Sequence, residues 1–189
     1  MKFIRTKIPD VIICESEVFE DQRGSFTETF RQDQLEKFIG HTINFCQDNE
    51  SKSVYGVLRG LHYQLPPFAQ TKLIRVITGK VLDVTVDIRK GSPTFGKHVS
   101  IVLSGDAATQ LFIPRGFAHG FIVLSKEATL TYKVDNYYSP ENERGIAYNN
   151  VDIDWQLDKD NLILSDKDLQ LPKLSQSDNL FDHLLNLYE

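Results

Sequence analysis

Between residues 43 and 134 the chain is a succession of short runs rich in β-branched and aromatic residues, each separated from the next by Gly, Pro, Asn, Asp or Ser. No amphipathic helical stretch lies between them, so helical crossovers cannot join the strands and parallel βαβ architectures are excluded. The spacing predicts strands at 43–47, 54–63, 71–77, 80–88, 98–103, 109–113, 119–124 and 128–134, the pattern of an all-β sandwich or barrel.

The flanks add less. A strand is expected over 11–18, a hairpin turn over 21–25 and a second strand over 26–30 that puts Phe26, Glu28 and Phe30 on one face. Leu35, Phe38 and Ile39 make an amphipathic helix over 33–39, with Gly40 at the stop position. A last strand is expected over 153–155 and a short amphipathic helix over 180–187. At 189 residues this is enough chain for one full core but not comfortably for two. The expected organisation is N-terminal strands in 1–30, a β core in 43–155 and a segment 156–189 that packs back on it.

The net charge is −5 and the basic residues are scattered, which excludes the electrostatic footprint of a nucleic-acid binder. An anionic small molecule would have to be met by local arginines and lysines. Cys14 and Cys46 have neither metal nor redox spacing and are too few for a disulfide framework, which points to a reduced compartment. The first residues carry no apolar run of signal-peptide type, and no segment is apolar for long enough to span a bilayer, so no membrane partner and a cytoplasmic location are expected.

The stretch 56–79 concentrates the chemistry. Arg59, His62 and Lys72 stand in one dense β-type run with Pro66-Pro67 at its middle, and strands tolerate buried charge only where a cavity or a partner receives it. The next run alternates, with Leu82, Val84, Val86 and Ile88 on one face and Asp83, Thr85 and Asp87 on the other. In an open sheet that polar face meets water, the ordinary expectation for Asp87; in a small barrel it lines a cavity.

Two fragments match the spacing of the metal-binding cupin pattern, G-x5-H-x-H with a following Glu and then P-x-G-x2-H. Gly56 to His62 and Pro114 to His119 fit, but Gln64 replaces the second histidine and Lys72 the glutamate. A cation in place of an anionic ligand repels a divalent metal, so the jelly roll is expected without its metal. A neutral imidazole that takes a proton, an ammonium that faces an oxyanion and a phenol that returns a proton suit proton abstraction α to a carbonyl without a cofactor.

Gly60-Leu61-His62-Tyr63-Gln64, Gln70-Thr71-Lys72-Leu73, Ser92-Pro93-Thr94-Phe95-Gly96, Ile113 to Phe121, Tyr132-Lys133, Tyr137-Tyr138 and Leu164 to Asp168 together resemble the dTDP-4-dehydrorhamnose 3,5-epimerase family. The resemblance covers residues 1–172. It implies a cupin-type jelly roll that inverts C3 and C5 of dTDP-4-dehydro-6-deoxy-D-glucose on the route to dTDP-L-rhamnose, with no cofactor and no metal. It implies His62 as base, Asp168 as the carboxylate that orients it, Lys72 as the group facing the enolate oxygen and Tyr132 as the acid on the opposite face. For binding it implies Arg59 and Arg23 at the diphosphate, Gln47 and Asn49 at the nucleotide or sugar, Glu28 at the thymine and His119 at the sugar. Glu143 and Lys167 are placed at the rim, and Tyr138 as a second aromatic near sugar or base. It also implies a homodimer whose N-terminal strands cross to the neighbouring subunit and bring Arg23 and Glu28 to the other site.

Three other readings share parts of this pattern. A C3-only epimerase or a ketoisomerase of the same nucleotide sugar would keep the same base and oxyanion site. A binding cupin would need the arginines but not the His62, Lys72 and Tyr132 set, and a metal-dependent dioxygenase or isomerase is disfavoured by Gln64 and Lys72.

Overall fold

A computed structural model describes residues 1–188. In chain order its strands are β1 (Lys2–Arg5), β2 (Ile12–Glu15), β3 (Val18–Asp21), β4 (Gly24–Thr27), β5 (Gln47–Val54), β6 (Leu58–Gln64), β7 (Lys72–Thr78), β8 (Lys80–Asp87), β9 (Arg89–Lys90), β10 (His98–Ser104), β11 (Thr109–Ile113), β12 (Phe117–Val123), β13 (Glu127–Val134), β14 (Glu143–Gly145) and β15 (Phe181–Asp182). Two helices accompany them, α1 (Gln32–Ile39) and the single turn α2 (Asp166–Leu169). Six strands form one sheet in the order β1-β2-β11-β7-β13-β5, and five form the other in the order β10-β8-β12-β6-β14. The sheets face each other as a jelly-roll sandwich.

Three apolar layers follow from the alternation. Between the sheets Ile74, Val76, Leu111, Phe117, Phe121 and Leu130 fill the closed end. Outside the six-stranded sheet Ile12, Cys14, Leu73 and Phe112 are covered by Leu35 of α1 and by Ile43. Outside the five-stranded sheet Leu82, Val84, Val86 and Ile88 are covered by Ile146, Trp155, Leu174 and Phe181. Each such side chain contributes about 1.5–3 kcal/mol when fully withdrawn from water. Cys14 lies in the second layer, where burial pushes its thiol up to about 12. Both cysteines are free.

Strand β8 is therefore buried on both faces, and the expectation that Asp87 meets water is overturned. Asp83, Thr85 and Asp87 all point between the sheets and are fully buried. Asp87 is held by its neighbours: Arg89 donates to both carboxylate oxygens at 2.9 and 2.8 Å, and the Ser92 and Thr94 hydroxyls each donate at 2.6 Å. Ser92 and Thr94 of the Ser92 to Gly96 motif thus help satisfy this carboxylate.

Other expectations shift. The strand expected over 43–47 starts only at Gln47, because the polar run to Val54 alternates half-buried and exposed residues while the preceding segment packs as a loop on α1. The strand expected over 11–18 breaks into β2 and β3, and the second arm of the hairpin stops at Thr27, so Glu28 and Phe30 lie beyond it. Residues 153–155 form no strand: the Asp154 side chain accepts from the Gln156 amide at 2.9 Å, a local turn that competes with pairing. The helix expected over 180–187 is replaced by β15, which runs parallel to β9, and by turns. Asp182 and Asn186 each accept from an amide two residues on, at 2.9 and 3.1 Å, and these Asx turns displace helical bonding. Helix α1 begins one residue early and ends at Gly40, whose φ of +88° is the left-handed cap expected there. No helix among the described residues is long and apolar enough to cross a membrane.

Candidate active site

The open end of the sandwich is a cavity of about 900 Å³. Its walls come from the inward faces of both sheets, and its floor from Ile74, Phe121 and Leu130. Every residue expected at the site lines it except Arg23 and Glu28.

Gly60 makes this possible on one wall. Strand parity alone puts Arg59 and His62 on opposite faces of β6. In the structure His62 pairs with His119 and Arg59 with Phe121, three residues on β6 against two on β12, so one extra residue bulges out between them. Gly60 has φ of +125°, and a Cβ there would lie 2.6 Å from the Gly120 Cα. The bulge turns both side chains into the cavity. Arg59 Nε then donates to Ser53 Oγ at 3.1 Å.

His62 Nε2 meets Asp168 Oδ1 at 2.6 Å. The carboxylate arrives from far along the chain because the segment before α2 docks beside β6: Val57 bridges Ile163, and the Leu58 amide donates to the Ile163 carbonyl at 2.9 Å. Ser165 then caps α2 by accepting from the Asp168 amide at 3.2 Å. Burial pushes the Asp168 carboxyl up, but hydrogen bonds from His62, Ser165 and the Gly60 amide outweigh it and hold the group below its ordinary value. Asp168 is thus a buried anion beside the imidazole.

The facing wall carries Lys72 and Tyr132. Val134 pairs with both Lys72 and Gln47, and Tyr132 pairs with Asn49 and Ile74, so these residues share the inward face of β5, β7 and β13. Burial pulls the Lys72 ammonium down to about 8, opposed by the charges of Asp83 and Glu143. Burial keeps the Tyr132 phenol protonated beyond its usual range, with Arg59 acting against this and Glu143 with it. His119 Nε2 is bonded to Asp83 Oδ2 at 2.8 Å.

At the rim Tyr138 donates to Glu143 at 2.7 Å, and Lys167 pairs with the same carboxylate. Gln47 donates to Asn49 at 2.8 Å and accepts from the Tyr138 amide at 3.1 Å. Gln64, in the place of a cupin histidine, has its amide committed to the backbone. It donates to the Phe68 and Tyr137 carbonyls at 2.7 and 3.2 Å and accepts from the Ser139 amide at 2.7 Å. Among the described residues no cluster of His, Cys, Asp and Glu has the arrangement of a metal site.

Two supporting residues went unnoticed in the sequence. Ser165 precedes Asp168 by three, the Ser-x-x-Asp signature of a helix start, and could have been found. Ser53 gives no local signal, since its bond to Arg59 depends on how β5 folds against β6.

Arg23 and Glu28 lie on or next to the β3–β4 hairpin, outside the cavity. Arg23 is turned onto Asp21 at 3.0 Å, and Arg31 lies 3.6 Å from Glu28. Val18, Phe19 and Phe26 of this hairpin are 42%, 53% and 70% exposed. By contrast β1 and β2 pair within the chain's own six-stranded sheet.

A jelly roll that sets a carboxylate-held imidazole across a cavity from an ammonium and a phenol holds the base and acid groups of a proton-transferring isomerase. Residues 5–176 match the family model described as dTDP-4-dehydrorhamnose 3,5-epimerase, and the chain belongs to that family. It is similar to the enzyme of that name from Shigella flexneri, 53% identical over 94% of this chain and 98% of the relative. The Escherichia coli K12 enzyme of the same name is 50% identical over 93% of this chain and 96% of its own. Among solved structures, the Legionella pneumophila dTDP-6-deoxy-D-glucose-3,5-epimerase in complex with dTDP-4-keto-L-rhamnose superposes with a TM-score of 0.93 at 45% identity, covering 97% of this chain and 99% of that one.

Proposed function

We propose that the protein epimerises dTDP-4-dehydro-6-deoxy-D-glucose at C3 and C5 with His62 as base and Tyr132 as acid. The observation that carries this reading is the His62–Asp168 pair in one cavity with Lys72 and Tyr132, the base and the acid rising from opposite sheets. Both inverted carbons flank the C4 ketone, so one enolate-stabilising group serves both. His62 removes the proton from one face, Asp168 stabilises the imidazolium, and Lys72 faces the developing oxyanion. Tyr132 delivers a proton to the other face, which is what inversion requires. Arg59 supplies a guanidinium to the diphosphate, a fork that matches phosphate oxygens. Gln47, Asn49 and Tyr138 meet the nucleotide or sugar, His119 the sugar, and Glu143 and Lys167 close the rim.

Incubation with the 4-keto sugar in D2O is expected to place deuterium at both C3 and C5 of the product, read by NMR. Deuterium at C3 alone would assign a C3 epimerase instead.

The pH profile follows from Lys72. Its ammonium persists below about 8 and is lost above it. A reaction that needs the cation therefore declines as pH rises through that value, so kcat/KM is expected to show a descending limb near 8. Lys72→Arg, with a guanidinium that does not titrate below about 12, should lose the limb whatever its absolute rate. A limb that stays in place in this variant would assign it to another group.

We further propose that the β3–β4 hairpin of one protomer enters the cavity of its partner in a homodimer, where Arg23 meets the diphosphate and Glu28 the thymine. The exposed Phe19 and Phe26 then become interface. Mixed dimers test this. His62→Ala chains and Arg23→Ala chains, each impaired alone, should regain about one quarter of native activity on random exchange, because each heterodimer holds one intact site in two. Recovery of nothing would place Arg23 in its own chain's site.

A further inference from the structure

Behind Lys72, on the far side of its sheet, four residues from separate parts of the chain close a ring through side chains and two backbone amides. The fully buried Thr71 donates its amide to Asp135 Oδ1 at 2.6 Å. Asp135 Oδ2 accepts from Arg115 Nε at 3.1 Å. The Arg115 amide donates to the Tyr188 hydroxyl oxygen at 3.2 Å, and that hydroxyl lies 3.1 Å from Thr71 Oγ1. Arg115 also donates to the Leu187 carbonyl at 2.6 Å, and its guanidinium lies 5.0 Å from the centre of the Tyr188 ring.

The ring gathers the chain positions that flank Lys72. Thr71 precedes it, Asp135 follows its register partner Val134, and Arg115 comes two residues after its other partner Ile113. We propose that Tyr188, beyond the stretch 5–176 that defines the family, is a positioning residue that fixes Lys72 by tying the start of β7 to the ends of β11 and β13. The proposal rests on the reading of Lys72 as the oxyanion group. Thr71 immediately precedes β7 and lies with Tyr188 outside the cavity that Lys72 lines, so Tyr188 acts on the start of the strand and never touches substrate. Without the phenol oxygen the Thr71 hydroxyl loses its partner in a fully buried place, and relief comes most easily by shifting the strand end. Such a shift moves the ammonium, and placement errors of this size cost rate rather than binding.

The test uses the full-length chain with Tyr188→Phe, which keeps the ring over Arg115, and independently Thr71→Val, which removes the same bond from its other end. Each is expected to lower kcat by about tenfold with KM changed by less than about twofold. Placed on a Lys72→Ala background, neither should add to the loss, because nothing remains to be positioned. Native kcat in both variants, or losses that multiply in full on Lys72→Ala, would overturn the proposal while leaving the oxyanion role intact. Undiminished turnover of Lys72→Ala itself would overturn that role and the proposal with it.

Discussion

Replacing His62 by alanine is expected to lower kcat/KM by about 10³-fold, the loss typical of a general base removed from a site whose other parts remain. The imidazole is the side chain that pairs with Asp168, at 2.6 Å, and the carboxylate is held as an anion by three donors. Asp168→Asn keeps the shape but removes the charge that stabilises the imidazolium, so it should cost about 10²-fold or more on the same measure. His62 borders the cavity rather than filling the core, and Leu61 beside it is the buried residue. The affinity for dTDP should therefore stay close to native, separating a chemical defect from a binding one, while the thermal midpoint falls because Asp168 loses its main partner in a buried place. Turnover of His62→Ala within tenfold of native would remove His62 from the base position.

Tyr132→Phe divides the reaction instead of stopping it. The base stands on β6 of the five-stranded sheet and the phenol on β13 of the six-stranded one, so they approach a bound sugar ring from opposite walls. Deletion of the hydroxyl leaves proton abstraction intact, but the enolate is then reprotonated only from the side it lost its proton. Net inversion should fall by about 10²-fold while solvent deuterium still enters recovered, uninverted substrate. Equal loss of exchange and inversion would instead make Tyr132 part of the abstraction step.

Much of the site was legible because its signals are local. The spacing of Gly56, His62, Pro114 and His119 carries the jelly roll, and Gln64 and Lys72 at ligand positions carry the departure from a metal centre. The parity conflict between Arg59 and His62 was visible too, and Gly60 resolves it as a bulge. Burial on both faces of β8 was not legible. Alternation reports which residues share a face, but Asp83, Thr85 and Asp87 look solvent-facing until a second sheet closes over them. The C-terminal tail misled for a related reason. The apolar residues from Leu180 onward have a helical look, but Phe181 turns inward against Tyr63 while Leu184 stays 90% exposed, and Asp182 and Asn186 redirect the backbone. Arg23 and Glu28 stood out only through the family motif, since a single chain gives them nothing to do at its own cavity.

The cover of the five-stranded sheet sets an order on how this chain matures. Leu82, Val84, Val86 and Ile88 are synthesised in the first half, while Trp155, Leu174 and Phe181, which lie over them, come near the end. A nascent chain can pair β8 with β10 and β12 yet still display their greasy outer plate until the final residues leave the ribosome. That interval is when partly finished chains aggregate and when chaperones bind them. A truncation that spares every catalytic residue but removes the tail would therefore fail first as a problem of yield and solubility, before any question of rate arises.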